Sequence, residues 1–322
     1  MNFYVCATPY HLFITLCDIS NKNVKSYIYL STHDENIFQL FLKYKEKLIT
    51  IDNVEAVWVR KRSNVNERLF IEDIKDKFEY KKLKNEITNS HVIIFPWNPY
   101  SLFSPSEYIF KHSKKVTLIE EGANLYIMKK PSKLFMLVKK NIYGRNLSFY
   151  KDDKITEIKV QFPEKYPNHL KDKLVYLDLN DMLNKIDDNK KKSILNIFSD
   201  KLCIDNLGNK VLLILSQPLC EDGYITEEKK IKLYKKIIDR YGYGYDVVLK
   251  KHPREKTKYN LENVLELDGN FPSELFKLLN IKFEKAIGVC TGAIKFVNAK
   301  EAFNIDEDFL KKCKAGNNDI YI

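Results

Sequence analysis

The chain has 322 residues and carries 54 Lys and Arg against 43 Asp and Glu, a formal net charge of +11. A single core rarely grows past roughly 250–300 residues, so two domains are expected. Hydrophobic content of 44%, with 10 Gly and 10 Pro and no low-complexity tract or repeat, excludes a disordered, collagen-like or solenoid chain.

The basic surplus suits nucleic acid, an anionic membrane or an anionic small molecule. No RNP, helix-turn-helix or zinc-finger pattern is present, so nucleic acid is not expected as a partner. The six cysteines fall at 6, 17, 203, 220, 290 and 313, without a CxxC pair. They read as buried free thiols of a reducing compartment rather than metal ligands. The opening Met1–Ala7 run enters a strand directly, with no basic leader. No apolar stretch reaches the ~18–20 residues that span a bilayer. The expectation is a cytoplasmic protein, at most peripheral on the inner face of the membrane.

In chain order, Phe3–Cys6 reads as a strand, Thr8 as a helix cap, Pro9 as a first-turn residue, and Leu12–Ile19 as an apolar helix. This strand–turn–helix opening begins a wound α/β unit and places Thr8, Pro9, Tyr10 and His11 at the ligand edge of a sheet. His11 reads equally as a helix residue bonded to backbone. Further strands are expected at Ser26–Leu30, Ala56–Val59, His91–Phe95 and Lys115–Ile119. Helices are expected at 35–47, within 69–85, and at 106–112. Loops at Thr8–His11, Ser31–Asp34 and Pro96–Tyr100 are candidates for ligand contact at that edge.

The strand at Lys115–Ile119 runs into Glu120-Glu121-Gly122. Adjacent carboxylates disfavour each other's ionisation, which moves one toward the range of a general base. Gly122 permits a tight turn or close substrate approach. A charged strand-end turn is the competing reading. Residues 156–205, lysine-rich and punctuated by Phe162-Pro163 and Tyr166-Pro167, read as a connecting segment. The expected domains are thus 1–155, 156–205 as connection, and 206–322.

Past Asn209 the strand–loop–helix pattern resumes. Val211–Leu215 ends in Ser216-Gln217-Pro218-Leu219-Cys220-Glu221-Asp222-Gly223, and Thr226 caps a helix reaching about Arg240. Asp246–Lys250 is a buried strand that stops at Lys251-His252-Pro253-Arg254. Pro253 biases His252 away from helical geometry, so an imidazole flanked by fixed positive charge stands at a strand tip. That pattern points to an anion site, with a solvated turn as the alternative. Pro272-Ser273-Glu274 opens a helix to about Leu279. Ala286–Val289 is read as the last core strand. It is followed by Cys290-Thr291-Gly292 and a helix at 294–299, whose first amides suit a phosphate. Two such units describe an α/β fold of two Rossmann-like domains facing a cleft, a GT-B-like glycosyltransferase architecture.

Glu120-Glu121-Gly122, His252-Pro253 and Cys290-Thr291-Gly292 occur in that order. This resembles the bacterial sialyltransferases, with their acidic-acidic-Gly, His-Pro and later Ser/Thr motifs. The opening Tyr4–Leu12 and Ser216–Leu219 are similar to glycosyltransferase family 52, which serves lipooligosaccharide and capsule assembly. Here Glu-Glu stands where Asp is common, and Cys290-Thr291 supplies one hydroxyl.

The resemblance implies CMP-sialic acid as donor, inversion at the anomeric carbon, no metal and no cofactor beyond the donor substrate. It implies Glu120 or Glu121 as base, with Glu221 or Asp222 competing, since a neighbouring branch assigns the base to that loop. His252 would serve the leaving phosphate. Ser216, Gln217, Lys251, Pro253, Arg254, Ser273, Glu274, Cys290, Thr291 and Gly292 fall on the donor side, with Glu274 at the ribose. The acceptor is expected to be a galactoside, lipid-linked or free, and a homodimer is left open. A glycosyltransferase using a nucleotide diphosphate sugar and a non-catalytic basic α/β binding protein are the alternatives.

Overall fold

Phe3, Tyr4, Val5 and Cys6 are buried together in strand β1 (Asn2–Cys6). A strand covered on both faces reads as an unbroken apolar run, and such strands belong to parallel sheets. The computed structural model describes residues 1–61, 78–95, 105–120, 152–166, 168–198 and 207–305. They divide into two units, Met1–Asp187 and Asp188–Ile322.

The first unit holds β1, β2 (Ser26–Thr32), β3 (Val54–Lys61), β4 (His91–Ile94), β5 (Lys115–Ile119), β6 (Ile155–Val160) and β7 (Leu174–Tyr176). They form one sheet in the order β3-β2-β1-β4-β5-β6-β7, and each neighbouring pair is parallel. The chain moves outward from β1 to β3, then returns to β4 on the other side of β1. The order therefore reverses between β1 and β4, the position where open α/β sheets bind ligands at their carboxyl ends. Phe3, Val5, Val92, Ile94, Val116, Leu118, Ile155, Ile158 and Val160 pack with Ile109 and Phe110 in its core. Each large side chain so buried contributes roughly 1.5–3 kcal/mol, which fixes the strand ends against one another.

The second unit holds β8 (Val211–Leu215), β9 (Asp246–Lys250), β10 (Val264–Leu267), β11 (Phe283–Val289) and β12 (Ala299–Ile305). Their order is β10-β9-β8-β11-β12, again parallel throughout. Here the reversal lies between β8 and β11. Helix Glu227–Tyr241, capped by Thr226 as expected, packs Leu233, Tyr234 and Ile237 against Leu212, Ile214, Leu249 and Ile287.

Two stretches differ from the sequence reading. Residues 156–176, expected within the connecting segment, belong to the first sheet, which β6 and β7 extend, and the first unit ends at Asp187. Ile155, Ile158 and Val160 face the core, while Thr156 is exposed and Glu157 and Lys159 are half-buried, a polar share that masks the strand. The expected helix at 294–299 is a 3-10 turn, Gly292–Phe296, followed by β12. This last strand is largely exposed at a sheet edge, and Lys285–Glu301 and Lys300–Glu284 pair across it and β11. Its polar sequence therefore carries little strand signal. No helix among the described residues is long and apolar enough to cross a membrane.

Candidate functional site

In the second unit, β8, β9 and β11 end side by side. The Lys251 N–H continues the ladder to Leu267 O at 2.9 Å, after which the chain turns at His252-Pro253. The turn is closed in both directions. The His252 N–H donates to Glu255 Oε2 at 2.9 Å, and the Glu255 N–H donates to His252 O at 2.9 Å. The Arg254 N–H donates to His252 Nδ1 at 3.2 Å, which assigns the ring proton of the neutral imidazole to Nε2. Burial, reinforced by the Arg254 and Lys250 charges, lowers the His252 pKa to about 3. The imidazole is therefore neutral at physiological pH. Gly269 backs this turn. A Cβ there would stand 2.4 Å from His252 O and 2.7 Å from Pro253 Cα, so a larger residue would force the His-Pro backbone aside.

Behind the turn lies a polar network. Lys230 Nζ lies 2.7 Å from Glu255 Oε1, and neither side chain is solvent-exposed. The same ammonium lies 3.0 Å from Glu221 Oε2 and donates to Thr257 Oγ1 at 3.3 Å. The Ser216 and Tyr259 hydroxyls also bond the Glu255 carboxylate, and the Gln217 N–H donates to the Tyr234 hydroxyl oxygen at 2.9 Å. Ser216 and Gln217 are thus held at the end of β8.

The carboxylates named as competing bases are engaged here. Burial raises the Glu221 pKa, but hydrogen bonds from the Lys256 N–H, Cys220 and Lys230 outweigh it and hold the group at about 2. Asp222 takes both prongs of the Arg254 guanidinium, at 2.6 and 3.0 Å.

Other donor-side residues divide by environment. Lys251 pairs with Asp268 at 3.4 Å and Glu266 at 3.8 Å. Lys250 is buried over the Phe271 ring at 4.3 Å and donates to Lys251 O at 2.8 Å; burial lowers its pKa to about 7. Glu274 is also buried, and desolvation raises its pKa to about 7. The Ser273 hydroxyl donates to it at 3.3 Å. Burial leaves Glu274 poised between its charged and neutral forms.

After β11, Cys290 adopts φ +50° and returns its N–H to Ile305 O at 2.7 Å. Thr291 donates its N–H to Asn304 Oδ1 at 3.2 Å, and its hydroxyl oxygen accepts the Ala293 N–H at 3.2 Å. The hydroxyl thus caps the short turn that replaces the expected helix. Gly292 has open space where a side chain would project.

In the first unit, the Thr8 hydroxyl oxygen accepts the His11 N–H at 3.2 Å, with Pro9 opening the helix Pro9–Lys22 as expected. His11 Nδ1 accepts the Ala7 N–H at 3.0 Å. Its ring stacks on Phe95 with centroids 4.2 Å apart, which bridges the ends of β1 and β4 where the order reverses. Tyr10 accepts from Gln161 Nε2 at 3.2 Å, beyond β6. Glu120, 1% exposed at the end of β5, accepts from the Tyr166 hydroxyl at 3.2 Å. Glu121, Gly122 and Pro96–Tyr100 lie outside the described residues. Thr8, Tyr10, His11 and Glu120 thus share one sheet edge, while Ser216, His252 and Thr291 share another.

Lys230, Glu255, Tyr259, Gly269 and Asn304 had been given no role from the sequence. One signal was present. Lys230, Leu233, Tyr234 and Ile237 fall at i, i+3, i+4 and i+7, which puts a lysine on the buried stripe of an amphipathic helix.

Two parallel sheets, each with polar groups gathered beside its reversal, make an α/β fold of two Rossmann-like units. The family model described as Alpha-2,8-polysialyltransferase (POLYST) matches residues 2–306, and the chain belongs to that family. It is a glycosyltransferase of sialyltransferase type, as the acidic, His-Pro and Thr motifs led one to expect. A Haemophilus influenzae protein described as uncharacterized is 29% identical over 262 residues, which cover 78% of this chain and 81% of that one.

Solved structures share the fold. The alpha/beta-galactoside alpha-2,3-sialyltransferase of Photobacterium phosphoreum aligns with a TM-score of 0.61 at 14% identity, covering 94% of this chain and 89% of that one. A Photobacterium 2,6-sialyltransferase in a ternary complex with CMP and lactose aligns at 0.58 with 12% identity, covering 98% and 75%. The GT-B domain of a Photobacterium damselae sialyltransferase aligns at 0.52 with 12% identity, covering 98% and 95%.

Proposed function

We propose that this protein moves sialic acid from CMP-sialic acid to a sugar hydroxyl, with inversion and without a metal. The observation that carries the reading is the neutral His252 at the tip of β9, its proton assigned to Nε2 beside the Lys250 and Arg254 charges. In the transfer, the bond from the anomeric carbon to the CMP phosphate oxygen breaks and the acceptor oxygen bonds to that carbon from the opposite face. The acceptor proton passes to a carboxylate, and CMP leaves with added negative charge on its phosphate. A preformed neutral N–H donor stabilises that charge without reorganisation. The His252 N–H, the Arg254 cation and the Thr291 hydroxyl suffice for a monophosphate leaving group, which is why no metal is invoked. When charged, Glu274 accepts hydrogen bonds from the ribose hydroxyls of the donor.

The base is assigned to Glu120 or Glu121. Glu221, held at about 2, is too weak a base to take a hydroxyl proton efficiently, and Asp222 is committed to Arg254. The CMP and lactose in the Photobacterium 2,6-sialyltransferase complex support a cytidine donor and a galactoside acceptor. A second reading of the acceptor, a terminal sialic acid, is favoured by the alpha-2,8 description of the family. The product belongs to a capsular polysaccharide or lipooligosaccharide, made at the cytoplasmic side of the membrane.

Thermal shift with CMP against UDP tests the donor class, and stabilisation by CMP alone is expected. A panel of galactosides and sialosides incubated with CMP-sialic acid then gives the acceptor and linkage. Stabilisation by UDP with no response to CMP would overturn the reading in favour of a nucleotide diphosphate sugar.

A further inference from the structure

We propose that the Lys230–Glu255 ion pair positions His252, with Glu255 as the residue that sets the imidazole at the end of the sheet. The inference rests on the donor role of His252 given above. Both side chains are fully withdrawn from solvent. A buried ion pair carries a desolvation penalty that an apolar pair of similar volume avoids. Fold stability alone therefore gives little reason for one here, and its geometry is the better account.

Glu255 accepts four bonds. Oε2 takes the His252 backbone N–H at 2.9 Å and the Ser216 hydroxyl. Oε1 takes Lys230 Nζ at 2.7 Å and the Tyr259 hydroxyl. One carboxylate thus links the end of β8, the His252-Pro253 turn, the helix Glu227–Tyr241 and the Tyr259 segment. Lys230 in turn reaches Glu221 at 3.0 Å and so ties in the loop after Gln217. A charged acceptor makes shorter and stronger bonds than a neutral one, and a carboxylate holds these four donors where an amide cannot.

The test is nitrogen-15 NMR of the His252 ring, assigned by its loss in His252→Asn, in the whole protein and in Lys230→Met/Glu255→Leu. That double variant removes both charges together, so neither is left buried alone. The wild-type ring is expected to be neutral with its proton on Nε2. The folded double variant is expected to lose that signature and sample both tautomers, with kcat for CMP-sialic acid lower by about a hundredfold. If the double variant does not fold, Glu255→Gln takes its place in the same comparison. A folded variant whose His252 keeps the wild-type tautomer signature overturns the proposal, whatever its kcat. Absence of turnover in the wild type would sink the transfer reading, while the NMR comparison would still decide whether Glu255 positions the ring.

Discussion

His252 Nδ1 accepts the Arg254 backbone N–H at 3.2 Å, which leaves the ring proton on Nε2, and the proposed transfer uses it as a neutral hydrogen-bond donor. A side chain that only donates is replaced in part by another neutral donor. His252→Ala is expected to lower kcat by about a hundredfold or more, and His252→Gln to retain several-fold more activity than Ala. Equal loss in the two variants would point to proton transfer from a charged imidazole instead.

Acid stability follows from the same ring. Its pKa is lowered from 6.5 to about 3, so between those values the unfolded chain holds more protons than the folded one. Stability then falls as pH drops from about 6.5 toward 3. Denaturant unfolding at stepped pH is expected to show a shallower acid slope in His252→Asn. Some slope will remain, because burial also lowers His91 to about 4.

Glu274 has the opposite sign. Burial raises its pKa from 4.5 to about 7, so the folded state holds the extra proton within that window and stability declines as pH rises through it. Glu274→Gln removes the carboxylate that must otherwise ionise in a buried site. The variant is expected to gain melting temperature relative to wild type, by more at pH 8 than at pH 5, and to bind CMP-sialic acid with a higher KM. A variant that is destabilised at pH 8 with unchanged donor KM would contradict both assignments.

The carboxylates are separable by kinetics. Asp222→Asn loosens Arg254 and is expected to raise donor KM a few-fold with kcat nearly intact. Glu221→Gln is expected to cost stability, since it weakens the partner set of Lys230. Glu120→Gln and Glu121→Gln compared side by side identify the base, as one of them should lose kcat by orders of magnitude. Loss of that size in Asp222→Asn instead would move the base to the second unit.

The sheets were largely legible because their inner strands are continuous apolar runs ending in turn residues; Val211–Leu215 and Asp246–Lys250 fell where periodicity put them. Two strands were not. Ile155–Val160, between β5 and β7, and Ala299–Ile305, at the edge of the second sheet, alternate or lose their apolar residues, so their pairing comes from the neighbouring strand rather than from local pattern. At the site, His252 and Thr291 could be named from their place after a strand. Glu255 and Lys230 could not, since a charged residue in a basic stretch reads as solvated until the fold buries it. Gly269 is silent for a related reason, because the backbone it admits, that of His252 and Pro253, is distant in sequence.

The central claim is most directly tested by CMP release from CMP-sialic acid in excess EDTA, with a galactoside or sialoside acceptor and the product linkage read by NMR. The account predicts metal-free turnover to a sialylated product of inverted anomeric configuration, abolished or nearly so in folded His252→Ala. Turnover that requires an added divalent cation, or that survives undiminished in His252→Ala, would contradict it.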